Sequence, residues 1–83
     1  MAKVELTHEA QQQALGLPKA IRTRIYRALE RLTEWPDVSG AKPLRGALAG
    51  HYRLRTGDYR IQFRVTGDIV KVEKIGHRDR FYD

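Results

Sequence analysis

If the chain turns at Gly57-Asp58, Arg55 falls directly opposite Arg60, with Arg53 and Arg64 on the same face of the hairpin. Opposed like charges cost up to about 1 kcal/mol per pair. A sheet that gathers them on one side is explained by an anion bound there, and the planar guanidinium fork fits a phosphate. Beyond the last strand, Gly76-His77-Arg78-Asp79-Arg80-Phe81-Tyr82-Asp83 brings an imidazole, two more guanidinium groups and a phenol close together. The chemistry on offer is charge stabilisation at a phosphate, with groups nearby that can move a proton. Two plainer roles stand beside it. The arginines can splay into water or toward Glu73, and His77 can bond backbone at the strand end.

Other chemistries find little in the sequence. There is no Cys, which removes disulfides, thiolate metal sites and a Cys nucleophile together. His8, His51 and His77 are far apart without ligand spacing, so neither a metal nor another cofactor is expected. No Gly-rich phosphate loop, nucleophile elbow or paired-carboxylate arrangement is visible.

The arginines depend on the elements that hold them. Lys3-Val4-Glu5-Leu6-Thr7 alternates polar and apolar and reads as a short strand. Thr7 then suits the cap of a helix over His8 to Leu15, with Gly16 as its stop. Pro18 fits the first position of a second helix, in which Ile21, Ile25, Ala28, Leu29 and Leu32 form one apolar stripe. Arg24, Arg27 and Arg31 lie on its opposite side, and Pro36 should end it near Trp35. Residues 36–50 read as a connector in which Leu44 could anchor to the core.

Three strands in a meander follow, joined by turns at Gly57-Asp58 and Gly67-Asp68. Counting outward from the first turn sets Leu54 against Ile61 and Tyr52 against Phe63, an apolar face, while Arg53 meets Gln62 on the other. The second turn sets Val65 against Val70 and Phe63 against Val72. That register throws Ile75 onto the basic face and Lys74 onto the apolar one, which calls for a bulge or an irregular strand end.

Eighty-three residues, 41% hydrophobic and 31% charged, suit one globular domain over 1–83, with no room for two cores. No apolar run approaches the roughly 20 residues of a membrane span, and the start is no signal peptide, so the expected place is the cytoplasm, away from membranes. Sixteen Lys and Arg against ten acids give +6, and eleven of the sixteen are Arg. Residues 1–40 carry six basic and five acidic groups (+1), whereas residues 41–83 carry ten and five (+5). A polyanion partner for the second half is the leading idea, against a merely solvated basic surface.

The order of a helix pair, Leu44-Arg45-Gly46, Tyr52-Arg53-Leu54-Arg55, Gly57-Asp58-Tyr59-Arg60, Ile75-Gly76-His77-Arg78 and Tyr82 resembles the RelE-type toxins of the RelE/ParE superfamily over nearly the whole chain. The resemblance implies an α+β fold, β-α-α-β-β-β, with two helices on one face of a small twisted, mainly antiparallel sheet. It also implies a ribosome-dependent endoribonuclease that cuts mRNA in the A site and is held inactive by a RelB-like antitoxin. In such an enzyme the RNA 2′-hydroxyl attacks the adjacent phosphate, leaving a 2′,3′-cyclic phosphate and a 5′-hydroxyl. Arg60 and Arg78 match the family's phosphate-stabilising arginines, and Tyr82 matches its terminal catalytic tyrosine. Arg53 and Arg55 stand where the best-known ribosome-dependent members have lysines. Arginine stays protonated, so Tyr82, or His77 behind it, must move the proton. Arg45, Arg64, Lys71 and Arg80 are the further residues expected to hold RNA or ribosome. Operator DNA would be met only through the antitoxin complex. Two other readings share the fold: a ParE-like toxin that poisons DNA gyrase, and a non-catalytic RNA- or ribosome-binding module.

Overall fold

The first strand, β1 (Lys3–Leu6), is short and leads directly into a capped helix, α1 (His8–Leu15). Thr7 has the extended backbone of an N-cap, and its Oγ1 accepts the Ala10 N–H at 3.1 Å. Gly16 ends α1 with its N–H on the Gln12 carbonyl, yet its φ of −78 is right-handed. The stop therefore owes nothing to a left-handed glycine; Pro18, two residues on, breaks the helical path. The second helix, α2 (Lys19–Arg31), begins one residue later than expected, because Pro18 occupies the N-cap with φ −55 and ψ 149. It passes into a 3-10 turn over Leu32–Glu34, so the helical stretch ends just before Trp35. The computed structural model describes residues 1–81.

The segment expected to be a plain connector contains a two-residue edge strand, β2 (Lys42–Pro43), and a 3-10 turn over Gly46–Leu48. Leu44 is half-buried and does not join the core; Val38 and Ala41 pack there instead. The meander follows as β3 (His51–Thr56), β4 (Tyr59–Thr66) and β5 (Ile69–His77). Gly57 and Gly67 both have φ +60, while no described residue other than glycine has a positive φ, which is the pattern of a type II′ hairpin turn. The sheet runs β1-β5-β4-β3-β2, antiparallel except where β1 lies parallel to β5.

The register is the one the alternation dictates: Tyr52 against Phe63, Leu54 against Ile61, Val65 against Val70 and Phe63 against Val72. A bulge then resolves the conflict at the end of β5. Gln62 pairs with Lys74 whereas Phe63 pairs with Val72, so Glu73 is the extra residue. The slip returns Ile75 to the core, where it is buried beside Ile61. A bulge interrupts the ladder, and backbone groups left there need partners. Residues flanking and within α1 supply them. Gln13 Oε1 accepts the Ile75 N–H at 2.7 Å, and Thr7 Oγ1 donates to the Glu73 carbonyl at 3.4 Å.

Both helices lie on the apolar face. Ile25, Ala28, Leu29 and Leu32 of the second helical stretch and Ala10 and Ala14 of α1 are buried with Leu54, Ile61, Phe63, Val70, Val72 and Ile75. Trp35 closes one end, edge-on to both Tyr52 (4.7 Å between ring centres) and Phe63 (5.3 Å). Burying a ring such as that of Phe63 contributes about 2–3 kcal/mol relative to leaving it in water.

Candidate functional site

Directly paired residues on neighbouring strands share a face, so the register builds the opposite side of the sheet as three rows. The row nearest the β3–β4 turn is Arg55, Arg60 and Gly76. The next is Lys42, Arg53, Gln62 and Lys74, which spans β2 to β5. The third is His51, Arg64, Lys71 and Glu5, which runs from β3 to β1. Glu73, pushed out by the bulge, reaches this face as well.

The rows differ in charge balance. In the third, Glu73 lies 2.8 Å from His51 Nε2 and 3.5 Å from Arg64, and Glu5 lies 3.1 Å from Lys71 Nζ. The Lys71 hydrogen bond and charge hold the Glu5 carboxyl below the ordinary carboxylate range. The first two rows contain six polar side chains and no carboxylate among them: Arg55, Arg60, Lys42, Arg53, Gln62 and Lys74. Arg55 is exposed, whereas Arg53 and Arg60 are half-buried and Gln62 is 9% exposed.

The chain after β5 returns to this face beside Lys74 and Gly76. There Phe81 is only 1% exposed although it stands apart from the main core. Lys74 Nζ sits 4.8 Å above the Phe81 ring centre and also donates to the Phe81 carbonyl. Gly76 lies beside the ring: a Cβ there would stand in ordinary contact with Phe81 Cδ1 at 3.6 Å. Tyr82, expected as the proton-transfer residue, lies outside the described residues; the residue before it is pinned to the carboxylate-free rows.

Arg78 comes to the same end of the sheet. Its N–H donates to the Asp58 carbonyl at 2.8 Å, which ties the tail to the β3–β4 turn. Its exposed guanidinium is 3.8 Å from Asp58 and 3.6 Å from Asp79. His77 goes elsewhere. It pairs with Tyr59, and that pair falls on the face that carries the helices. The two rings meet edge-on at 5.3 Å, and His77 Nδ1 accepts the Asp79 N–H at 3.2 Å. With Asp79 and Arg80 they line a cleft of about 310 Å³ at the sheet end. Arg80 thus joins His77 rather than the arginine rows. Arg45 follows β2 at the far edge of the sheet and is exposed.

Of the expected residues, the structure gathers Arg53, Arg55 and Arg60, with Arg78 at the rim. Arg64 and Lys71 share the face but face carboxylates. Sequence reasoning missed Lys42, Lys74 and His51. The pairing of His51 with Arg64 was countable from the first turn. Lys42 was hidden by the brevity of β2, and Lys74 by the bulge.

Two helices on one face of a small, mainly antiparallel sheet, with arginines gathered on the other, match the fold of the RelE/ParE toxins. The chain belongs to the ParE toxin family of type II toxin–antitoxin systems, whose family model matches residues 4–82. Comparison with curated protein sequences gives no match. Solved structures give several. The toxin–antitoxin complex RelBE2 from Mycobacterium tuberculosis is 26% identical, covering 93% of this chain and 98% of that one with a TM-score of 0.82. The RelB–RelE complex from Methanococcus jannaschii is also 26% identical, covering 95% of each chain with a TM-score of 0.79. The isolated Escherichia coli RelE toxin shares the fold at 21% identity and a TM-score of 0.79, covering 96% and 87%. No helix among the described residues is long and apolar enough to cross a membrane.

Proposed function

We propose that this toxin is a ribosome-dependent endoribonuclease that cuts mRNA in the A site and so stops translation. The observation that carries the reading is the direct pairing of Arg55 with Arg60, one row from Arg53, in rows without a carboxylate. Opposed guanidinium groups suit a surface that takes up a phosphate. Arg60 and Arg78 stabilise the crowded phosphate, and Arg53 and Arg55 orient it without exchanging protons. The 2′-oxygen forms the new bond to phosphorus as the bond to the 5′-oxygen breaks; Tyr82 takes the 2′ proton or stacks on a base, and solvent water protonates the leaving 5′-oxygen. His77, turned to the helix-bearing face, ranks behind Tyr82 for that step.

The reaction takes place on cytoplasmic ribosomes. Its control is a RelB-like antitoxin, as the RelBE2 and RelB–RelE complexes suggest, and operator DNA is reached only through that complex. An antitoxin segment with acidic and apolar residues would meet the basic surface quickly and with strong salt dependence.

The matching family model favours a second reading, inhibition of DNA gyrase on the same fold. Mapping mRNA ends after induction separates the two. Cuts within codons support the ribonuclease; DNA damage with intact mRNA supports gyrase inhibition and overturns it. The absence of both cuts and DNA damage supports a non-catalytic RNA- or ribosome-binding module.

A further inference from the structure

A second basic surface lies behind the β3–β4 turn, on the helix side. Arg24, Arg27 and Arg31 of α2, with Ala28, Thr56 and Gly57, line an open cleft of about 340 Å³. Each guanidinium is exposed, and none forms an ion pair with a carboxylate among the described residues. Two of the three lie against uncharged groups instead. Arg31 Nη2 donates to the Ser39 carbonyl at 2.8 Å. Arg24 Nη1 lies over the turn glycine, 3.0 Å from where a Gly57 Cβ would stand. A side chain at that position, whose φ is +60, would both strain the turn and push the guanidinium away.

We infer that this cleft is a second site for the phosphodiester backbone of RNA, continuous around the hairpin tip with the arginine rows. The inference rests on the ribonuclease reading. Continuity comes from the turn itself: Arg55 and Arg60 flank it on one side of the sheet, and Thr56 and Gly57 line the cleft on the other. The carboxylate at the tip, Asp58, is turned toward Arg78.

The lining also selects the ligand. An amphipathic protein segment needs apolar anchors to bury. This cleft offers Ala28, which is itself buried, a threonine, a glycine and the arginine stems; the exposed Tyr26 projects from another side of α2. Guanidinium forks without apolar anchors suit phosphate oxygens, read without regard to base. The cleft would hold the RNA framework while the rows across the sheet act on the scissile bond.

The test titrates a fluorescein-labelled RNA stem–loop with the full chain freed of antitoxin, at several salt concentrations. The variant replaces Arg24→Gln, Arg27→Gln and Arg31→Gln together, with thermal melting as a check on folding. It should bind on the order of tenfold more weakly, and the log–log salt slope should fall by about two to three. The matching triple change to Lys keeps the charge without the fork; it should retain the salt slope and still melt normally. If the Gln variant keeps wild-type affinity and slope while Arg55→Gln lowers both, the cleft is no RNA site, and the ribonuclease reading survives. If the wild-type chain binds no RNA, the inference fails, and the ribonuclease reading is judged by the mRNA ends alone. If RNA binding is intact but the purified antitoxin binds the variant more weakly, the cleft docks a protein and the inference is overturned.

Discussion

The two ends of the polar sheet face are built from the same kinds of residue and end in opposite electrical states. Toward β1, His51, Arg64 and Lys71 meet Glu73 and Glu5 within 2.8–3.5 Å. Toward the β3–β4 turn, Arg53, Arg55 and Arg60 stand in rows without a carboxylate of their own, and Phe81 packs on Lys74 and beside Gly76 of the same rows. At the first end, cations complete the protein's own charge balance and fasten β1 and the bulge. At the second, the rows supply no carboxylate of their own. Counting basic residues would score the ends alike; the rows separate them.

The largest expected effect breaks the second end. Arg60→Ala and Arg78→Ala should each slow cleavage several hundredfold and abolish growth inhibition, while the melting temperature holds. A folded variant that remains fully toxic would remove that residue from the mechanism. Tyr82→Phe comes next. It should bind programmed ribosomes like wild type and cleave on the order of a hundredfold more slowly in single turnover. If the Phe variant cleaves normally and Tyr82→Ala does not, the ring is a stacking platform and the proton moves elsewhere.

Smaller effects sharpen the contrast from the balanced end. Glu73→Gln removes the charge shared by His51 and Arg64, and should cost about 1 kcal/mol in chemical denaturation. Its cleavage rate should stay within a few-fold of wild type; a large loss would make the third row part of the reaction. The smallest effect is Glu5→Gln. The Glu5 carboxyl is depressed by Lys71, so its charged form stabilises the fold. That contribution is present above the ordinary carboxylate range and lost as pH falls through the lower native value. The wild-type advantage in melting temperature should therefore be visible at neutral pH and vanish in acid.

Much of this face was legible because hairpins are self-indexing. Once Gly57-Asp58 is taken as the turn, the opposition of Arg55 and Arg60 follows by counting, and the apolar alternation of Leu54, Tyr52, Ile61 and Phe63 checks it. The bulge announced itself as a conflict between Lys74 and Ile75, but not which residue would be extruded. That choice depends on α1, whose Gln13 and preceding cap Thr7 bond the distorted backbone across more than sixty residues of sequence. A two-residue strand such as β2 has no period to detect, so Lys42 stayed invisible. Phe81 lacked a local signal for the same reason: its burial is set by Gly76 and Lys74 after the chain reverses. His77 looked like a neighbour of the arginines in sequence, yet strand alternation sends it to the other face.

The parallel union of β1 with β5 has a consequence for how the molecule comes into being. The meander from His51 to His77 can zip through nearby contacts, whereas Lys3 waits for Ile69 across most of the chain. Closing so long a loop is entropically expensive and slow relative to hairpin formation. During synthesis, β1 and both helices emerge well before the strand that joins β1 to the rest of the sheet. Until residues 69–77 have left the exit tunnel, the early half has no floor to pack on and the arginine rows have no last column. The docking of β5 is thus the step that both joins β1 to the sheet and completes the arginine rows.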